Sequence, residues 1–165
     1  MGQEAMRAIV EWAQATWLHD FVVAHGRLWP ALECLHYLGL ALLFGTVALY
    51  DLRVLGLAKA VPISALHRLV PFGVAGFAIN AITGSMFFAG APDQYVYNAA
   101  FKAKVALLAL AGVNVVVFYS WAFASVRELG QGVDAPGRAK IAAGVSLLAW
   151  TGVMVAGRLL TFYRP

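Results

Sequence analysis

The chain has 165 residues, of which 62% are hydrophobic and only 12% are charged, and its mean hydropathy is +0.76. A soluble domain carries roughly 25% charged residues, so this composition excludes an ordinary water-soluble fold and indicates that lipid is the solvent. The formal net charge of +4 fits the basic loop ends of a membrane protein and does not indicate nucleic-acid binding. A single cysteine, Cys34, excludes an internal disulfide bond and a cysteine-rich cluster.

The N-terminal segment is expected to be a retained helix and not a signal peptide. Acidic residues and tryptophans interrupt it, and no short apolar core leads to a cleavage site of small residues. Apolar and aromatic residues recur at spacings of three or four between residues 4 and 24. This pattern predicts an amphipathic helix lying in the membrane interface, with Trp12 and Trp17 at the level of the lipid headgroups. Gly26 and Pro30 are expected to end it.

Four stretches without Asp, Glu, Lys or Arg follow, and each approaches the ~20 residues that a helix needs to cross a bilayer. With their flanking residues they predict an all-α integral membrane fold with spans at about 31–57, 65–90, 99–126 and 139–162. Because the loops between them are short, neighbouring spans are expected to run antiparallel, as an up-down-up-down bundle. The spans and the N-terminal helix use nearly the whole chain, so we expect one membrane domain over residues 1–165.

The basic residues divide evenly between the two ends of this bundle. Six belong to the end with the first and third loops, namely Arg53, Lys59, Arg68, Arg127, Arg138 and Lys140, and six to the other end, namely Arg7, Arg27, Lys102, Lys104, Arg158 and Arg164. The second end also carries five acidic residues, and two of its bases are counted inside the membrane. The positive-inside rule therefore favours periplasmic termini in a bacterial inner membrane.

Ionisable side chains inside membrane spans are rare and indicate functional sites. His36, Lys104 and Arg158 belong to three different spans, and each lies a few residues from the same end, which places all three ~6–8 Å below one edge of the bilayer. Asn80 and Thr83, one helical turn apart on the second span, would lie just beneath them. One imidazole and two cations at one depth would suit an anionic, planar, apolar molecule. We therefore predict that these five residues form a cofactor site.

Simpler interpretations compete with this one. His36 could be a core histidine that is hydrogen-bonded across helices to a hydroxyl or carbonyl group, and Arg158 could pair with an acidic residue at the same end. Asp51 and Arg53, and His67 with its neighbour Arg68, are expected to be interface residues at the opposite end, linked by an ion pair between the first and second spans. The sequence assigns no catalytic residue.

His67 is an unsuitable partner for His36 in binding one metal. It opens the second span at the opposite edge, some 25 Å away along the membrane normal, whereas two imidazoles that ligate one haem iron stand about 4 Å apart. The candidates for a second ligand are His25 or His19, brought back by a kink between Gly26 and Pro30, or a group that is not histidine. We therefore take His36 and His25 as the candidate metal ligands.

Three segments resemble known membrane proteins: LHYLGLALLFGTVALYDLRVLG, LHRLVPFGVAGFAINAITGSMFF and FKAKVALLALAGVN, within roughly residues 28–120. They resemble a group of bacterial four-helix membrane proteins and, more distantly, the CopD-type copper-resistance domain and the HemJ-type protoporphyrinogen oxidase family. The matching features are His36, Arg68 and a TG pair at Thr83, and an aromatic residue three positions before Lys104. The HemJ-type resemblance implies a b-type haem near His36 and Lys104, whereas the CopD-type resemblance implies periplasmic copper handling. Asn114 stands where a HemJ-type histidine is expected, which argues against the oxidase activity itself.

Three functional hypotheses follow. The first is a b-type haem protein that transfers electrons between a membrane quinol and a periplasmic partner or substrate, which would make it a membrane oxidoreductase. The second is a copper-binding or copper-transporting module with a soft Cu(I) site formed from Cys34, His36, Met86 and Met154. The third is an accessory or assembly subunit of a membrane complex, whose small-residue faces dock a partner. A homodimer is the default expectation for its oligomeric state.

Overall fold

A computed structural model describes residues 2–163, and these residues form helices joined by short loops, with no β-strand among them. The helices are α1 Gln3–Gln14, α2 Trp17–Ala24, α3 Leu28–Leu55, α4 Ile63–His67, α5 Val70–Gly90, α6 Pro92–Val96, α7 Ala99–Val117 and α8 Gly137–Leu159. After α7 the chain continues as a π-helical turn, Phe118–Ala122, and a 3₁₀ turn, Phe123–Ser125. The predicted all-α class is confirmed. Arg164, which was assigned to the end of the bundle that carries the termini, lies outside the described residues.

Four helical segments are long and apolar enough to cross a membrane: Leu28–Leu55, Ile63–Gly90, Ala99–Ser125 and Gly137–Leu159. Their bounds lie within a few residues of the predicted spans. The first ends at Gly56, whose φ of 100° lies in the left-handed region that glycine adopts without strain. The second consists of α4 and α5, which are separated at residues 68–69, because Pro71 in the first turn of α5 has no N–H to continue the preceding helix.

The long helices form a row in the order α5, α3, α8, α7, in which each helix packs on the next. α3 and α5 run antiparallel, since Gly39 lies against Gly76 while Thr46 lies against Gly73. α7 and α8 also pack together along much of their length, whereas α5 and α7, at the two ends of the row, make few contacts. The bundle is therefore open on the side between the second and third spans.

The N-terminal segment forms two helices, so the prediction of one helix over residues 4–24 is wrong. The side chain of Thr16 accepts a hydrogen bond from the backbone N–H of His19 at 3.3 Å and thereby caps the start of α2. The buried face of α1 consists of Met6, Val10 and Ala13, and α1 packs against α6. These helices cover the end of the bundle that carries His36.

The opposite end of the bundle is held together by Arg53, which is fully buried. Its guanidinium group donates to the backbone carbonyl oxygens of Val61 at 2.6 Å, Gly130 at 2.8 Å and Val133 at 3.2 Å. These bonds tie the loop after α3 to the loop before α8. Arg53 was predicted to lie at the membrane interface. It lies instead in the protein interior, where carbonyl oxygens accept from two of its three guanidinium nitrogens and Nη1 has no partner within the described chain.

Candidate functional site

The imidazole ring of His36 bridges the first and second spans. Its Nδ1 lies 2.7 Å from the hydroxyl oxygen of Thr83, which is buried on α5. The same hydroxyl oxygen lies 2.8 Å from the backbone carbonyl oxygen of Ile79, one helical turn earlier. The hydrogen bond across helices that the simpler interpretation predicted for His36 is therefore present.

These two contacts decide which ring nitrogen carries the proton. The Thr83 hydroxyl has one proton, and a carbonyl oxygen can only accept, so the short contact with Ile79 requires Thr83 to donate there. The oxygen of Thr83 then accepts from the Nδ1–H of His36. In the neutral ring Nε2 is left unprotonated with a free lone pair. A histidine that ligates a metal through Nε2 has this same arrangement, with Nδ1–H held by a second group.

The half-buried ring of His36 lies in a mostly apolar niche. Phe87 packs against it nearly edge-on, with the ring centroids 5.6 Å apart, and Trp29 packs on Phe87 at 5.0 Å. A Cβ atom built on Gly84 would lie 3.9 Å from the Cε1 atom of His36, so this glycine leaves space beside the imidazole. An aromatic and apolar setting of this kind suits a flat hydrophobic ligand.

Asn80, the other polar residue predicted on the second span, hydrogen-bonds within its own helix. Its Nδ2 donates to the carbonyl oxygen of Gly76 at 2.9 Å. A Cβ atom built on Gly39 would lie only 2.6 Å from this nitrogen, which shows how closely α3 passes over Asn80. The predicted pair is therefore divided: Thr83 contacts His36, and Asn80 packs in the helix crossing one turn away.

Lys104 lies half-buried between the third and fourth spans, where its Nζ is 3.6 Å from the position of a Cβ atom built on Gly157. Asn98 fixes this register, because its Oδ1 caps the start of α7 and its Nδ2 donates to the carbonyl oxygen of Leu160 at 3.2 Å. The charge of Lys104 is close enough to the His36 ring to act on it electrostatically. None of the ion pairs between described residues involves Lys104.

Arg158 does not join this group. It is exposed, and its guanidinium carbon lies 5.3 Å from the centre of the Phe162 ring. Consecutive residues of a helix point ~100° apart, so a helix that presents Gly157 to Lys104 directs Arg158 elsewhere. The predicted convergence of three ionisable side chains is thus reduced to His36 and Lys104.

Of the two histidines predicted as second ligands, His19 lies against the bundle and His25 does not. His25 is exposed, its Nδ1 donates to the carbonyl oxygen of Phe21 at 2.8 Å, and its ring lies 4.7 Å from that of Phe21. His19 is half-buried, and its Nδ1 donates to the carbonyl oxygen of Ala89 at the end of α5, at 2.7 Å. Because each Nδ1 faces a carbonyl oxygen, the Nε2 of either neutral ring is unprotonated.

At the opposite end of the bundle, the expected ion pair between the first and second spans is not found among the described residues. His67 lies instead in an aromatic cluster, with its ring centroid 4.9 Å from Phe123 and 6.3 Å from Tyr50. Asp51 is buried, and its Oδ2 has no hydrogen-bond partner within residues 2–163. Asp51 was predicted to be an interface residue, although an acidic residue near the end of an apolar helix is itself a signal of a buried polar site.

Cys34, one donor of the hypothesised copper site, does not lie on the same face of α3 as His36. Cys34 is exposed, and residues two apart on a helix point ~200° from each other, so Cys34 and His36 face different directions. Across the described part of the chain, no group of three or more His, Cys, Asp and Glu residues could hold a metal ion. A haem iron makes a smaller demand, because the porphyrin supplies four ligands and one histidine is enough to hold it.

Comparisons with family models, with curated proteins and with solved structures found no match to this chain. The resemblance to the CopD-type and HemJ-type families therefore stays a prediction from the quoted segments. The candidate site is defined by three side chains: His36 with a free Nε2 lone pair, Thr83 that holds the ring, and Lys104, whose charge acts on the ring electrostatically.

Proposed function

We propose that this chain is an integral membrane protein that binds a b-type haem and transfers electrons, and that His36 would hold the haem iron. The observation that carries the proposal is the hydrogen bond from the Nδ1–H of His36 to Thr83, which leaves Nε2 able to bind iron. Thr83 fixes the orientation of the ring and strengthens its remaining nitrogen as a ligand. Bound haem would supply one-electron redox chemistry at this position.

The positive charge of Lys104 favours an anionic porphyrin as the ligand and disfavours a metal cation alone. A haem carries propionate groups, and an ionised carboxylate in a low-dielectric layer is costly unless a cation pairs with it. Lys104 offers a half-buried ammonium group whose charge reaches His36, and none of the ion pairs within the described chain involves it. His19 is the candidate second ligand, because it packs on the helix that also carries Thr83.

In this proposal the four long helices cross a bacterial inner membrane, for which their length and apolar composition are suited. Trp12 and Trp17, on α1 and α2, are 68% and 75% exposed, which is expected of aromatic side chains at lipid headgroups and supports interfacial N-terminal helices. The positive-inside rule assigns the first and third loops to the cytoplasm and the His36 site to the periplasmic side. Electrons would then pass between a membrane quinol and a periplasmic partner.

An absorbance spectrum of the detergent-purified protein tests the proposal. After expression with ample haem, we expect a Soret band and, on reduction, α and β bands. His36→Ala should abolish or shift these bands, whereas the matched variant His67→Ala should leave them unchanged, because His67 lies in the aromatic cluster at the other end. A colourless wild-type protein, or the same spectrum in both variants, would overturn the proposal.

A further inference from the structure

A cleft separates the second and third spans on the side where the helix row is open. It forms a cavity of about 430 Å³ lined by residues of α3, α5, α7 and α8. This volume lies within the ~300–1,000 Å³ that is usual for sites of small ligands. The walls are mostly apolar and include the aromatic side chains of Phe77, Phe118, Tyr119 and Trp150. The cavity is thus large enough for a ring-sized molecule and chemically suited to one.

Asp51 places a buried carboxyl group in this cavity. The residue is 7% exposed, and its Oδ2 has no hydrogen-bond partner within the described chain. Arg53 forms no ion pair with it among the described residues: two guanidinium nitrogens donate to loop carbonyl oxygens, and Nη1 is buried without a partner. Lys59 and Lys140 both pair with Asp134. A buried acceptor without a donor is costly, and a ligand that donates a hydrogen bond would remove that cost.

The other polar groups of the cavity suit a ligand hydroxyl, which can both donate and accept. Asn114 uses its Nδ2 to donate to the carbonyl oxygen of Ala142 at 3.1 Å, which leaves Oδ1 as an acceptor. The hydroxyl of Tyr50 is buried without a partner among the described residues, and the hydroxyl of Ser146 lies beside Asp51. The polar part of the wall therefore combines two acceptors, Asp51 and Asn114, with two hydroxyl groups that can both donate and accept.

We propose that this cleft binds a lipid-soluble phenol or hydroquinone, whose hydroxyl donates to Oδ2 of Asp51 and whose ring packs against the aromatic wall. The cleft opens between two helices, so the ligand arrives through the hydrocarbon layer. A neutral hydroxyl crosses that layer at far lower cost than an ammonium group does, which selects a phenol over a lipophilic amine.

The inference rests on the membrane insertion proposed above but not on the haem. Asp51 follows His36 by fifteen positions on α3, or ~22 Å along the helix, so the two sites lie in opposite halves of the bundle. Loss of either site would leave the other intact. The two proposals can therefore fail independently.

The test uses a ring-brominated nonylphenol and its methyl ether as probes, with the whole protein in detergent micelles. Bromine quenches indole fluorescence at short range, and Trp150 lines the cavity. The difference in quenching between the wild-type protein and Trp150→Phe therefore measures how much of the cleft is occupied. We expect the phenol to bind at least about tenfold more tightly than the ether, because the ether has the same body but no proton to donate to a buried acceptor. Equal affinities of the wild-type protein for the two probes would overturn the proposal.

Two variants and one matched control locate the binding. In Asp51→Leu the phenol should lose its advantage over the ether. In Gly112→Leu the quenching of Trp150 should disappear for both probes, since Gly112 lines the cavity and a Cβ atom there meets nothing within 4 Å, so the leucine fills space without a clash. Gly144→Leu has equally open surroundings outside the cavity and should bind as the wild type does. Wild-type binding by Gly112→Leu would contradict the assignment.

Flotation of the reconstituted protein with lipid vesicles separates this inference from the membrane placement. Protein that floats with the vesicles, and yet prefers the ether or binds neither probe, refutes the cleft site alone. Protein that stays out of the vesicles refutes the membrane placement and the route by which the phenol would enter. Flotation together with a preference for the phenol supports both.

Discussion

Replacing Gly76 with alanine should push the first and second spans apart at their closest crossing. The added Cβ would stand 2.5 Å from the carbonyl oxygen of Gly39 and 2.6 Å from the backbone nitrogen of Leu43. Both are backbone atoms of α3, which cannot rotate away as a flexible side chain would. An ordinary contact begins at 3.4 Å, so the helices must separate by the difference from 2.5 Å, about 0.9 Å.

The cost follows from this separation. A radial gap of 0.5–1 Å forfeits roughly a quarter to a half of the dispersion energy of the atoms that face it, and overpacking of a core costs about 1–3 kcal/mol. Because backbone atoms oppose the new methyl group, we take the upper part of that range and subtract the ~1 kcal/mol that alanine gains in helix propensity. The free energy of unfolding should fall by about 2 kcal/mol. The bond between His36 and Thr83, 2.7 Å long, spans the same pair of helices, and a shift of this size would break it.

Titration with SDS in mixed micelles, followed by circular dichroism and tryptophan fluorescence, measures the effect. The matched control is Gly45→Ala on α3, where a Cβ atom meets nothing within 4 Å. That variant should be more stable than the wild type by up to about 1 kcal/mol, because only the propensity term acts. If Gly76→Ala proved as stable as Gly45→Ala, the close crossing of α3 and α5 would be refuted.

Three further predictions concern single polar groups. Thr83→Val should weaken haem binding by about 10- to 100-fold, because no hydrogen bond then holds the imidazole ring. Thr83→Ser keeps the hydroxyl and should bind haem nearly as the wild type does. Haem titration of the apoprotein measures both affinities, and wild-type affinity in the valine variant would contradict the assigned tautomer. Lys104→Met should weaken haem binding without lowering thermal stability, because it replaces an unpaired ammonium group with an apolar side chain. The control Lys102→Met lies at an exposed position on another face of the helix and should change neither haem affinity nor thermal stability. The pKa of Asp134 is lowered from 3.8, chiefly by its hydrogen bond from Lys140. A carboxyl group with a depressed pKa contributes stability above its ordinary pKa and loses it as pH falls through the lowered value. Hydrogen-exchange protection of the loop before α8, corrected for intrinsic rates, should therefore fall in acid for the wild type and stay low and constant in Asp134→Asn.

The local sequence was enough to predict the helices. A run of about twenty residues without charge specifies a membrane-length helix whatever surrounds it, because the backbone must satisfy its own hydrogen bonds in an apolar medium. This is why the span bounds were predicted within a few residues, and why His36 stood out as a polar residue inside an apolar run. The break at Thr16 was also encoded locally, by a threonine that caps the next helix, although the periodicity across it favoured one continuous helix.

The order of the helices, and what each polar side chain contacts, were decided only by tertiary structure. Hydropathy gives the depth of a residue in the membrane but not the rotation of its helix, so it placed Arg158 beside Lys104 when the fold directs them apart. The state of the His36 ring depends on Thr83, which is 47 positions away in the chain. The buried Asp51 and its cleft exist because α5 and α7 lie at opposite ends of the helix row. Side-chain partners across helices follow from packing between distant segments, and no local pattern in the chain carries that information.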